Sequence, residues 1–190
     1  EVSRSLASCE GVLLLIDASQ GVQAQTIANL YLAMEHNLAV IPVINKIDLL
    51  TADVDRVLEQ IDAELGLDPF SHIRCSAKQG IGIEEVLEAI VDRIPPPKGD
   101  PAKPLSALIF DAQYDSFRGT VIHCRVFDGA VRPGDVIRFM SSGTTYRVEE
   151  VGRFALARLK KDALCAGEVG YLIAGVKTVA DVRIGDTITH

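Results

Sequence analysis

The sequence predicts two architectures in one chain, an α/β unit followed by an all-β unit. Three observations carry that prediction: apolar runs alternate with helical patterns as far as Ile94, a cluster of prolines follows, and beyond it short β-rich runs are broken by turn dipeptides.

Taken in order, Val2, Leu6 and Cys9 stand at helical spacing, which predicts an amphipathic helix opening at Glu1. Val12 to Ile16, Ala39 to Ile44 and His72 to Cys75 are predicted strands; Gln23 to Asn37, Asp53 to Leu65 and Ile83 to Arg93 are predicted helices. Strands that are apolar on both faces and separated by helices imply three parallel strands covered on both sides. Pro95, Pro96, Pro97, Pro101 and Pro104 then forbid regular structure, because proline fixes φ and lacks an amide donor. This sets the predicted boundaries at 1–97, a connector at 98–104, and 105–190. In the last part, Ser106 to Phe110, Thr120 to Phe127, Asp135 to Met140, Thr145 to Val151, Val169 to Ala174 and Asp186 to Thr189 read as short strands. Asp128-Gly129, Pro133-Gly134 and Ser142-Gly143 supply turns between them, which predicts a small antiparallel β-barrel.

The chain has 190 residues, 48% hydrophobic, with a formal charge of −7. That balance excludes a protein that coats nucleic acid non-specifically, and DNA is not an expected partner. Up to Lys98 there are seven basic and fifteen acidic residues, a net −8; from Gly99 on there are twelve and eleven, a net +1. The two parts are expected to face different partners. Cys9, Cys75, Cys124 and Cys165 match no zinc or dithiol spacing, and reduced thiols are expected. No apolar run approaches the ~20 residues of a membrane span.

The most specific constellation is Asn45-Lys46-Ile47-Asp48 after the strand ending at Ile44. In an open α/β sheet ligands sit at the carboxyl ends of strands, where these residues fall. A carboxylate there accepts from both N1–H and the 2-amino group of guanine, whereas adenine would leave Asp48 unsatisfied. Lys46 can lay its methylenes along a base plane, and Asn45 can tie the loop to its neighbour. Alternatively, Asp48 caps the next helix. Twenty-eight residues on, Ser76-Ala77-Lys78 follows the third strand; the Ala77 amide could donate to guanine O6 and Lys78 could cover the other base face. The two segments together point to a guanine pocket.

These segments resemble the fourth and fifth nucleotide motifs of GTP-binding domains, and Asp17-Ala18-Ser19-Gln20-Gly21-Val22 with Gln25-Thr26 resembles a strand end and helix opening of translational GTPases. The structural alternative is that Asp17 simply ends a strand. Tyr114-Asp115-Ser116-Phe117-Arg118-Gly119 and Arg125-Val126-Phe127-Asp128-Gly129 resemble the barrel of the LepA family, elongation factor four; BipA-type GTPases share the layout. The resemblance implies that 1–97 is the carboxyl-terminal half of a P-loop-type GTP-binding domain and that Asn45, Lys46, Asp48, Ser76, Ala77 and Lys78 contact guanine. For the parent protein it implies GTP/GDP and Mg2+ as cofactors, ribosome-stimulated GTP hydrolysis with a role in back-translocation or ribosome assembly, and a cytoplasmic location. Peripheral association with the cytoplasmic face of the inner membrane is a further expectation.

Hydrolysis needs a phosphate loop, magnesium ligands and a residue that orients water. No lysine here is preceded by glycine, so the G-x-x-x-x-G-K-[ST] loop is absent, and no aspartate has glycine three residues on. Truncation is the expected explanation, and no catalytic or metal-ligating residue is assigned. Gly80-Ile81-Gly82 is read as a turn into the helix at Ile83. Candidate ribosomal RNA contacts are Arg118, outward barrel positions such as Arg125, and above all Arg158, Lys160 and Lys161, expected to cluster in one loop. A different class, an RNA- or protein-binding barrel beside a nucleotide-free scaffold, stays open.

Overall fold

A computed structural model describes residues 2–190; Glu1 lies outside the described residues. The chain divides into two compact units, one of Cys9–Pro96 with Val2, the other of Pro97–His190 together with Ser3–Ser8. The opening helix α1 (Val2–Leu6) is shorter than expected and buries no residue, so Cys9 lies beyond it.

In the first unit, strands β1 (Gly11–Asp17), β2 (Ala39–Asn45) and β3 (Ile73–Arg74) form a parallel sheet in the order β1-β2-β3. Helices α2 (Ala24–Glu35), α3 (Val54–Leu65) and α4 (Ile83–Arg93) connect and cover them. Alternate strand residues feed two cores. Leu14, Ile16 and Ile44 pack with Leu30 of α2 and with Val57 and Ile61 of α3, while Ile41, Val43 and Ile73 pack with Val86 and Ala89 of α4. Helix α3 starts at Asp53, whose carboxylate accepts from the Arg56 amide, a cap worth about 1 kcal/mol. Asp53, not Asp48, is therefore the cap. Gly82 precedes α4 at φ +71, and a Cβ there would sit 2.1 Å from the Arg74 carbonyl oxygen, so only glycine fits this turn. The parallel register aligns Asp17 with Asn45 and Ile44 with Arg74. Consequently Asp17, the loop after Asn45 and the segment after Arg74 emerge at one end of the sheet.

The second unit is antiparallel. Strands β4 (Ser106–Asp115), β5 (Gly119–Asp128), β7 (Val136–Phe139), β8 (Thr145–Arg147), β9 (Glu150–Phe154), β10 (Arg158–Lys161), β12 (Val169–Ile173) and β13 (Thr187–Thr189) form one sheet, ordered β10-β9-β12-β5-β4-β13-β7-β8. The short strands β6 (Ala130–Val131) and β11 (Leu164–Cys165) pair separately. The sheet wraps a main core that includes Ile109, Ile122, Ile137, Phe139, Leu164, Leu172 and Ile188, as in a barrel, and Val121, Tyr171 and Ile173 form a smaller separate cluster.

Several expectations need correcting here. The predicted strand Thr145 to Val151 is two strands, because the chain changes partner: Val148 N–H donates to Asp135 O, and Glu149 N–H to Ile173 O. The expected loop holding Arg158, Lys160 and Lys161 is strand β10, paired with β9. Arg125 does not point outward; it is 2% exposed, donates to Ser8 O at 2.6 Å and lies over the Phe127 ring. The prolines of the predicted connector lie in no helix or strand, and its Asp100 touches the barrel unit: Asp100 N–H donates to the Asp128 carboxylate, and Gly129 N–H donates to Asp100 O.

Candidate functional site

The loop after β2 and the segment after β3 meet at the carboxyl end of the parallel sheet. Ser76 is fully buried, and its hydroxyl donates to Asp48 Oδ1 at 2.6 Å across twenty-eight residues of sequence. Asn45 Oδ1 accepts from the Lys46 amide at 2.8 Å and the Ala77 amide at 3.1 Å. One asparagine thus joins both segments. The Ala77 amide, expected to face a base oxygen, is here engaged by Asn45. Around these groups lies a cavity of about 280 Å³ lined by Asn45, Lys46, Asp48, Leu49, Ala77 and Lys78. That is just below the roughly 300–1,000 Å³ of sites that bury drug-sized ligands, so it suits one ring system better than a whole nucleotide.

The site offers an acceptor on one side of the cavity. Asp48 Oδ1 is taken by Ser76, while Asp48 Oδ2 has no partner among the described residues. Leu49, Lys46 and Lys78 are also among the lining residues, and a lysine stem can serve as an apolar wall. Lys46 holds φ +65, the left-handed region that side chains seldom adopt. Its ammonium pairs with Asp17 Oδ2 at 2.7 Å. The other Asp17 oxygen accepts from the Ser19 amide (2.8 Å), the Ser19 hydroxyl (2.7 Å) and the Gln20 amide (3.3 Å). Lys46 foremost, with these donors, holds the Asp17 carboxyl well below the usual carboxylate range. The sequence assigned Asp17 no role toward this cavity; the β1–β2 register, which sets Asp17 beside Asn45, brings it there.

Two of the cysteines are buried, Cys75 and Cys124. Burial pushes the Cys124 thiol up to about 12 and raises Cys75 as well, and Cys75, Cys124 and Cys165 are free thiols. Among the described residues no three His, Cys, Asp or Glu side chains group as metal ligands, so magnesium is assigned to none of them.

The barrel cations form a separate constellation. Arg158 pairs with Asp115 at 2.6 Å, Arg118 with Glu150 at 2.8 Å, Lys160 with Glu150 at 2.6 Å, and Lys161 with Glu168. Each of the four residues singled out for RNA is therefore matched by a carboxylate. Partial burial alone would raise the Glu150 carboxyl, yet donors from Lys160, Tyr171 and Arg118 bring it below its ordinary value.

Residues 1–96 match the family described as the Elongation factor Tu GTP binding domain. The chain belongs to that family. In this GTP-binding family member, residues 119–189 further match Elongation factor Tu domain 2. A protein named Elongation factor 4 from Syntrophus aciditrophicus (strain SB) is 74% identical over 189 residues, covering 100% of this chain and 32% of that protein. Its namesake from Aquifex aeolicus (strain VF5) is 64% identical over 190 residues, again covering 100% of this chain and 32% of the relative. The one from Treponema pallidum (strain Nichols) is 60% identical over 189 residues, covering 100% and 31%. The chain spans about a third of the length of these relatives. The resemblance to the elongation factor four family is borne out, as is the partial GTPase domain followed by a barrel. No helix of the described residues is long and apolar enough to cross a membrane.

Proposed function

We propose that this chain is the guanine-reading part of a ribosome-associated translational GTPase whose parent protein binds GTP and GDP with Mg2+ and hydrolyses GTP during translation. One observation carries the reading: Asp48 and Ser76 meet at 2.6 Å beside a cavity sized for a base, with an Asp48 oxygen left for donors. In this reading Asp48 accepts from the guanine N1–H and 2-amino group, and Ser76 fixes the carboxylate so that both contacts form without reorganisation. Asn45 holds Ala77 in register, the Ala77 amide shares its hydrogen with O6, and Lys46 and Lys78 flank the base plane. Bound Mg2+ would neutralise phosphate charge, but the residues for that lie outside the set assigned here, and the chain by itself is proposed not to hydrolyse GTP.

The barrel is proposed to meet ribosomal RNA through Arg118, Arg158, Lys160 and Lys161. Since each has a carboxylate partner, contact with RNA exchanges one anion for another and adds little net charge. The location that accompanies this reading is the cytoplasm, with peripheral contact at the inner membrane's cytoplasmic face as the resemblance implies.

The test is Asp48→Asn in the full-length protein that carries this chain. Titration with GTP and xanthosine triphosphate should show preference passing from the first to the second, because xanthine offers an acceptor where guanine has its 2-amino group. Equal binding of ATP and GTP by the unaltered protein would refute the pocket.

A further inference from the structure

The ion pair between Asp17 and Lys46 stands outside what the turn at Asp17 requires. Three donors from Ser19 and Gln20 satisfy Oδ1 and close that turn; none of them needs Oδ2. Nor does Asp17 start helix α2, whose cap is Gln23. Oδ2 instead faces the Lys46 ammonium at 2.7 Å.

The anchor is rigid. Ala18 N–H donates to Asn45 O at 2.9 Å, Asp53 N–H donates to Ala18 O at 2.9 Å, and the Arg56 guanidinium donates to Ser19 O at 2.9 Å. The turn bearing Asp17 is thereby tied to both strand β2 and helix α3. At the other end, Lys46 has its amide held by Asn45 Oδ1 and its backbone in the left-handed region. A lysine fixed at its main chain and at its ammonium has its methylenes confined between, and Lys46 is one of the residues that line the base cavity. As a stability element the pair is weak, since Lys46 is 54% exposed at its side chain and such pairs contribute little. Its effect is orientation: it removes rotamer freedom that a bound ring would otherwise have to remove.

We propose that Asp17 is a positioning residue that holds Lys46 along the wall of the base cavity and so sets how long a guanine nucleotide stays bound. This rests on the guanine reading of the cavity. Asp48 determines which base is accepted; Asp17 determines how fast it leaves.

The experiment measures release of fluorescently labelled GDP from the full-length protein by stopped flow. Asp17→Asn keeps an oxygen for Ser19 and removes the charge; it should speed GDP release roughly tenfold, the effect of a coupling near 1.4 kcal/mol. The preference for guanine over xanthine should not change. Lys46→Ala should speed release to a similar degree, the double variant should be no faster than Lys46→Ala alone, and Asp17→Glu should recover part of the loss. Unchanged release in Asp17→Asn would overturn the proposal, as would effects of the two single variants that multiply in the double. Should Asp48→Asn fail to shift preference toward xanthine, the pocket itself would fall and this inference with it. Retained selectivity with an inert Asp17 would sink the inference alone.

Discussion

Asp48 in the α/β unit and Glu150 in the barrel are both carboxylates that accept from a hydroxyl, Ser76 at 2.6 Å and Tyr171 at 2.9 Å. Glu150 goes on to bind Arg118 and Lys160, and neighbouring Asp115 takes Arg158, so that charge is matched within the unit itself. Asp48 stops at one hydrogen bond and faces a cavity. The same functional group thus closes a structure in one unit and leaves a valence open in the other. Polar groups satisfied by their own chain rigidify it; polar groups held in place but unsatisfied are available to a ligand.

The largest expected effect tests whether the barrel depends on its core more than on its charges. Phe139 is 1% exposed and packs against Tyr146, with ring centroids 5.0 Å apart. Phe139→Ala should cost about 3–5 kcal/mol in urea unfolding of the chain, and a loss below about 1 kcal/mol would reverse that ranking. Next comes the comparison of carboxylates. Glu150→Ala strips partners from Tyr171, Arg118 and Lys160 and should cost about 1–2 kcal/mol, discounted because both cations are largely exposed. Asp48→Asn should change stability by less than about 0.5 kcal/mol, since an amide oxygen still accepts from Ser76. Equal losses in the two variants would erase the distinction between a closed network and an open site.

The smallest effect concerns His123, set between the rings of Phe110 and Phe154. Burial lowers its pKa below the ordinary imidazole value, with the Asp111 charge opposing. The unfolded chain therefore takes up a proton before the folded one does. His123's contribution is present above about pH 6.5 and is lost as pH falls, by at most about 1.4 kcal/mol per pH unit for one group. Unfolding followed from pH 7 to 5.5 should show this slope, and His123→Gln should flatten it.

The sequence shows the α/β unit well because β1 and β2 are apolar on both faces, a pattern that needs no knowledge of partners. The meeting of Asn45 to Asp48 with Ser76 to Lys78 was legible as well, since parallel strands bring their carboxyl ends together whatever lies between. Strand β10 was not legible: Arg158, Leu159, Lys160 and Lys161 show no apolar alternation, and the strand is held by pairing with β9 and by carboxylates as distant as Asp115. The burial of Arg125 escaped for a related reason. Its acceptor, the Ser8 carbonyl, is 117 residues away, and a charged residue in a strand reads as outward until that acceptor is known. Asp17 was visible as a residue, yet its tie to Lys46 depends on side-chain reach across two strands, which periodicity does not encode.

The left-handed backbone of Lys46 bears on any effort to make this protein hardier. A non-glycine residue held there stores about 1–3 kcal/mol of strain. Selection for heat resistance alone will favour glycine or asparagine at position 46, relieving the strain while deleting one wall of the cavity. Under the proposed role of Lys46, enrichment of such changes in a thermostability screen would signal erosion of ligand retention, and variant libraries should hold this position fixed.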